Sequence, residues 1–355
     1  MIQNNITELL KGRFLSKFKI VKWFYQNRTT PVTLEIHPSF PCNFGCNFCI
    51  DQYLKNVPNE NGYQINRDNN SMLTHKNMDD IIDGCLQLDI KGIILSGGGE
   101  PTLNKETEYL VGLANVYNII IGMFTNGSLL TDENIPIYID NLSFIRFSFD
   151  DYSPESYSKT KGVPERMYFK VIENIKKCVE YKKNHPESKC RIGIDFILTP
   201  TNVDKMVDIY IETRKFGVDY LQFCDCVETG YQFTEGLKNK ILNNLDNILR
   251  YQDHYKCNLD VVYEPLQTGN DTLCKDCGIT EYIIQIGADG RVEPCPHIAR
   301  HSELSYGNIN EKPLKEIWEN RPKNLTTKME WESCRFRVAN QILRALKSIQ
   351  HEEMI

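Results

Sequence analysis

From residue 32 the chain alternates short apolar runs with longer amphipathic stretches. Runs at 32–37, 91–96, 118–124, 143–149, 190–198 and 218–224 have the length and composition of strands. Helical periodicity between them predicts helices near 75–88, 104–116, 166–182 and 203–216. Thr131 is an N-cap candidate for one more helix around 132–140, against which Pro136 speaks. Six strands each followed by a helix predict an α/β fold with a parallel sheet, a partial (β/α)6 TIM-like barrel over residues 31–226. Chemistry should then gather at the C-terminal ends of the strands. The fourth run departs from the usual pattern of a buried parallel strand, which is apolar on both faces. In it Arg146, Ser148 and Asp150 alternate with Ile145, Phe147 and Phe149, so one face predicts a wet lumen lining.

Both flanks read differently. In residues 1–30, Ile6, Leu10, Phe14 and Phe18 fall four apart, and six Lys/Arg face a single acid, Glu8. That predicts an amphipathic helix capping the barrel bottom, with a membrane-surface or substrate-docking helix as the alternative. Beyond residue 226 the pattern changes to a helix near 234–253, an apolar run at 258–263 and a hairpin turn at Asp289-Gly290. Helices around 313–320 and 336–349 follow, so residues 227–355 read as a small α+β extension.

Composition narrows the function classes. The net charge of −6 supplies no basic field for nucleic acid or anionic membrane. No apolar run has the length of a membrane span, and the N-terminus lacks the pattern of a signal peptide, so a cytoplasmic location is expected. In such a setting the 13 cysteines point to metal binding or catalysis rather than to disulfides.

Three of them, Cys42, Cys46 and Cys49, stand as C-x3-C-x2-C on one short loop after the first strand. With this cysteine content, chance yields that spacing about 0.02 times per chain. Thiolates suit zinc and iron–sulfur centres alike. Clusters usually take four cysteines, so three imply one iron without a protein ligand. A zinc site completed by His37 is the alternative, and it leaves unexplained the run Ser96-Gly97-Gly98-Gly99-Glu100-Pro101 after the second strand. Glycines there let backbone approach a ligand closely.

The triplet, with the aromatic Phe48 before its last cysteine, resembles the signature of the radical S-adenosylmethionine (radical SAM) superfamily. The resemblance implies a [4Fe–4S] cluster at Cys42, Cys46 and Cys49 whose open iron chelates SAM. An electron, supplied by a donor such as flavodoxin or ferredoxin, would cleave SAM to a 5′-deoxyadenosyl radical that abstracts hydrogen from a substrate. Gly97, Gly98, Gly99 and Glu100 are similar to the family's GGEP element, which holds the SAM amino group. Ser148 and Asp150 resemble its S-x-D on strand four, whose serine contacts the ribose. Phe48, Asn126 and Arg166 are further candidate SAM contacts.

Cys274, Cys277, Cys295 and Cys334 supply four more thiolates, enough for a closed cluster or a tetrahedral zinc. The runs 287–295 and 307–318 resemble the SPASM and twitch extensions of radical SAM enzymes, which implies a second, auxiliary [4Fe–4S] cluster. Cys224 and Cys226 end the sixth strand on one face, where a thiol could return a hydrogen atom to a substrate radical; packing cysteines are the plainer reading. Acidic charge and the absence of an evident peptide-binding domain favour dehydrogenation or epimerisation of a small polar molecule resembling an amino sugar. The alternatives are a maturase that modifies a ribosomally made peptide or protein, and a zinc-binding scaffold without catalysis.

Overall fold

The computed structural model describes residues 30–49, 68–226, 234–256, 259–264, 277–296, 304–322 and 343. The N-terminal segment, Cys274, Cys334, Cys257 and nearly all of the expected last helix lie outside the described residues. One ten-stranded sheet organises the molecule, in the order β10-β9-β8-β1-β2-β3-β4-β5-β6-β7. Its six expected strands are β1 (Thr33–Ile36), β2 (Gly92–Leu95), β3 (Ile120–Thr125), β4 (Phe144–Ser148), β5 (Arg191–Leu198) and β6 (Tyr220–Asp225), all in sequence order and parallel.

The parallel block is wider than six. β7 (Asp260–Glu264), formed by the apolar run expected in the extension, pairs parallel with β6. β8 (Ile283–Ile286) pairs parallel with β1 on the other side, then turns at Asp289-Gly290 into the antiparallel β9 (Arg291–Glu293). Gly290 has φ +83°, the left-handed conformation that such turns require. β10 (Gly307–Asn308) completes the antiparallel edge. The extension is thus built onto the first barrel strand.

The described helices are α1 (His75–Gln87), α2 (Glu106–Val116), α3 (Ile135–Asn141), α4 (Pro154–Lys161), α5 (Arg166–Asn184), α6 (Met206–Thr213), α7 (Glu235–Tyr255) and α8 (Leu314–Glu319). Local chemistry sets their ends. Thr74 and Asn77 form a reciprocal capping box on α1, and Thr234 caps α7. Pro136 falls in the first turn of α3, where its missing N–H costs nothing, and Asn134 rather than Thr131 is the N-cap. α4 starts at Ser153, which accepts from the Ser156 N–H, and stops at Gly162 with φ +63°.

Alternation sorts the sheet's two faces. Leu34, Ile36, Leu95, Met123, Phe147 and Phe223 are fully buried in one continuous core with the helices. Phe144, Arg146 and Ser148 on β4 are half-buried on the opposite, lumen face. There the Arg146 guanidinium lies 4.8 Å from the Phe124 ring centroid, 5.6 Å from Phe144 and 5.3 Å from Tyr220, and its Nε donates to the Tyr220 hydroxyl at 3.0 Å. The extension locks to the barrel through α1 and α8. Gly84 leaves room for Leu314, and Asn77 Nδ2 donates to Asn310 Oδ1 at 2.8 Å. No described helix is long and apolar enough to cross a membrane.

Candidate active site

The loop 42–49 leaves β1 at the sheet's C-terminal rim and is gripped from two sides. On one side the glycine run after β2 packs against its start. The Glu100 N–H donates to the Pro41 carbonyl at 2.9 Å. A Cβ on Gly99 would lie 2.5 Å from the Phe40 carbonyl oxygen and closer still to that of Pro41, so only glycine fits. On the other side α4 closes on the loop. Gly45 N–H donates to the Lys161 carbonyl and Asn47 N–H to the Thr160 carbonyl, both at 2.9 Å. A Cβ on Gly162 would sit 2.5 Å from the Gly45 oxygen.

Cys42 is exposed, while Cys46, Cys49 and Phe48 are half-buried. The three thiols lie within electrostatic reach of one another. Cys42 is exposed as a residue, yet partial burial of its thiol pushes it up to about 12. The Phe44 backbone N–H opposes this and the Glu100 charge adds to it. Burial raises Cys46 as well, opposed by the Lys161 ammonium. Burial thus favours the protonated form of Cys42 and Cys46, and a bound metal would displace those protons. Three soft donors on one short loop fit an iron–sulfur cluster.

Glu100 faces inward rather than toward a ligand. Its carboxylate is 3% exposed and accepts from four donors. They are Thr102 N–H at 3.1 Å, Thr102 Oγ1 at 2.7 Å, Thr125 Oγ1 at 2.6 Å and Asn126 N–H at 2.8 Å. It braces the ends of β2 and β3. Gly98 N–H donates to His37 Nδ1 at 3.2 Å, which fixes that nitrogen as an acceptor and ties His37 to the glycine run. Asn126 is likewise engaged. Its Nδ2 donates to Asn43 Oδ1 at 2.9 Å, Asn43 Nδ2 donates to Ser128 Oγ at 2.8 Å, and Ser128 returns a bond to Asn126 Oδ1 at 2.7 Å. This triangle, with Asn43 and Ser128 unforeseen from sequence, ties the cysteine loop to the end of β3.

At the end of β4, Ser148 is half-buried on the lumen side. Asp150 is 2% exposed, adopts φ +60°, pairs with the buried Lys161 ammonium, and accepts from Ile197 N–H at 2.7 Å. Its carboxylate is held by the fold and is not offered to a ligand. Arg166 stands exposed at the first position of α5.

Farther along the lumen wall, half-buried Cys224 directs its Sγ at Asp195 Oδ1, 3.4 Å away, and accepts from Gln222 Nε2 at 2.8 Å. The expected pair divides here, because Cys226 is buried in the core. Of the C-terminal quartet, Cys277 is half-buried and Cys295 buried. Burial pushes the Tyr306 phenol up, Arg321 opposes, and Glu281, Cys295 and Cys277 all add, which brings both cysteines to the neighbourhood of one hydroxyl.

Residues 36–211 match the family model of the radical SAM superfamily, and residues 274–337 match that of SPASM, an iron–sulfur cluster-binding domain. The chain is 25% identical to a tungsten-containing aldehyde ferredoxin oxidoreductase cofactor-modifying protein of Pyrococcus furiosus, over 78% of each chain. It is 24% identical to a cysteine-type anaerobic sulfatase-maturating enzyme of Clostridium perfringens, over 81% of this chain and 80% of that one. Among solved structures, SuiB of Streptococcus suis bound to S-adenosylmethionine superposes with a TM-score of 0.62 at 17% identity, covering 84% of this chain and 68% of SuiB. SuiB bound to its precursor peptide SuiA gives a TM-score of 0.60 at 16% identity, covering 84% of this chain and 67% of SuiB.

Proposed function

The chain belongs to the radical SAM superfamily and carries a C-terminal SPASM domain, and on that premise we propose that it is a maturase modifying a ribosomally made peptide or protein. One observation carries this reading. The sulfatase-maturating relative matches over 81% of this chain, more than the radical SAM match at 36–211 spans. Another supports it: a solved protein of similar fold holds a precursor peptide. The amino-sugar reading draws on overall charge and on the lack of an evident peptide-binding domain, and the match to a maturating enzyme weighs more than either.

The two domains imply [4Fe–4S] clusters and SAM, which when bound supply a 5′-deoxyadenosyl radical for hydrogen abstraction. The residues of this chain do the holding and orienting. Cys42, Cys46 and Cys49 would hold the first cluster, and Cys277 and Cys295, with Cys274 and Cys334, the auxiliary one. Glu100 and His37 keep the backbone of residues 97–99 in place for the SAM amino group. Ser148 would meet the ribose. Arg146, Asp195, Gln222 and Cys224 form a polar wall that would orient the substrate. Asp195 lies within reach of both Arg146 and Cys224 and accepts a hydrogen bond from that thiol.

The test is co-expression with each short peptide encoded beside the gene, followed by mass spectrometry of the peptide. A mass change that needs intact Cys42, Cys46 and Cys49 is expected. Unchanged peptides, together with conversion of an amino sugar by the purified protein, would return the assignment to a small-molecule substrate.

A further inference from the structure

Lys161 closes α4 and is only 1% exposed. Its ammonium donates to the Ser148 carbonyl at 2.8 Å and pairs with Asp150. Asp150 is itself pinned by Ile197 N–H on β5. β4, β5 and α4 therefore fix one positive charge at a defined point. That point lies under the cysteine loop: the ammonium is 5.3 Å from the Phe48 ring centroid, and the Lys161 carbonyl holds Gly45 N–H. One residue thus supplies both the charge and an anchor for the loop.

A purely structural plug would not need an ion pair. Taking two charges out of water is costly, and apolar residues of similar volume often serve stability as well or better. What the pair adds is a field that water and salt screen poorly. At the loop the ammonium is the charge that lies against the Phe48 ring, while Asp150 also accepts from the Ile197 N–H on β5. A fixed cation beside a cluster favours its more negative, reduced state, and net charge is one of the levers that set cluster potentials.

We propose that Lys161 is a positioning residue that raises the reduction potential of the cluster held by Cys42, Cys46 and Cys49, through its buried charge against the loop that carries them. This rests on the cluster assignment above. Wild type that binds only zinc after anaerobic reconstitution would sink that assignment, whereas the outcomes below concern Lys161 alone.

The experiment is an anaerobic redox titration of the reconstituted full chain, followed by electron paramagnetic resonance without SAM or peptide. A variant lacking Cys277 and Cys295 isolates the signal of the first cluster. Iron content and thermal unfolding of the cluster-free protein are measured alongside. Lys161→Met should lower the midpoint potential with iron content retained, and Lys161→Arg should restore it. The double variant Asp150→Asn/Lys161→Met should regain thermal stability over Lys161→Met while keeping a smaller downward shift. An unchanged or raised potential in both neutral variants overturns the proposal. So does failure of both to assemble the cluster, which would assign Lys161 to loop assembly alone.

Discussion

Gly99→Ala strikes the contact on which the candidate SAM site depends. The new Cβ would sit 2.5 Å from the Phe40 oxygen, where ordinary contact begins at 3.4 Å. Phe40 must retreat by about 0.9 Å and Pro41 by more, and both obstacles are backbone that cannot rotate away. Overpacking of this kind costs about 1–3 kcal/mol. The functional loss should be larger than the stability loss. Displacing the cysteine loop by about 1 Å from the glycine run costs on the order of 100-fold in rate where reacting groups must be aligned. The assay is 5′-deoxyadenosine formation by reconstituted, reduced protein, with iron content and circular dichroism as controls. A folded, iron-replete Gly99→Ala protein that cleaves SAM at the wild-type rate would refute the docking of the two loops.

Other perturbations test separate parts of the account. Gly112→Ala on α2 meets nothing within 4 Å and should stabilise the protein by about 0.5–1 kcal/mol in urea unfolding, by removing a helix-interior glycine. Gly84→Ala places a Cβ 2.6 Å from Leu314 Cβ and should destabilise by about 1–3 kcal/mol, seen as earlier urea unfolding with hydrogen exchange rising first in α8. Asn43→Ala breaks the bonds to Asn126 and Ser128; at about 1 kcal/mol each it should lower thermal stability and raise the SAM concentration needed for half-maximal cleavage. If Cys224 quenches a substrate radical, product made in heavy water carries solvent deuterium on carbon, and Cys224→Ala abolishes that label; retained label removes Cys224 from the chemistry.

The strands were legible because each alternates or runs apolar between turn residues, and the cysteine and glycine motifs because their spacing is local. What escaped was tertiary. α4 has no apolar stripe to betray it, and its signals were the Ser153-Pro154 start and the Gly162 stop, so Lys161 went unnoticed. β7 was assigned to the extension because the pattern changes at residue 226, yet α7 carries the chain back to the same sheet. Their motifs offer Glu100 and Asp150 as ligand contacts, whereas the fold buries both carboxylates against donors up to 47 residues away, which no local pattern encodes. Cys224 and Cys226 share a strand face by parity, but the chain leaving β6 buries Cys226 in the core and leaves Cys224 at the lumen.

The most direct test of the account is to count iron and 5′-deoxyadenosine in the same anaerobic preparation, for wild type and for a variant in which Cys42, Cys46 and Cys49 are all Ala. Two clusters predict about eight irons per wild-type chain and about four in the variant, since each [4Fe–4S] centre is held by its own cysteines. Only the wild type should form 5′-deoxyadenosine after reduction with SAM. A variant that keeps all its iron or still cleaves SAM, or a wild type that holds zinc alone, would contradict it.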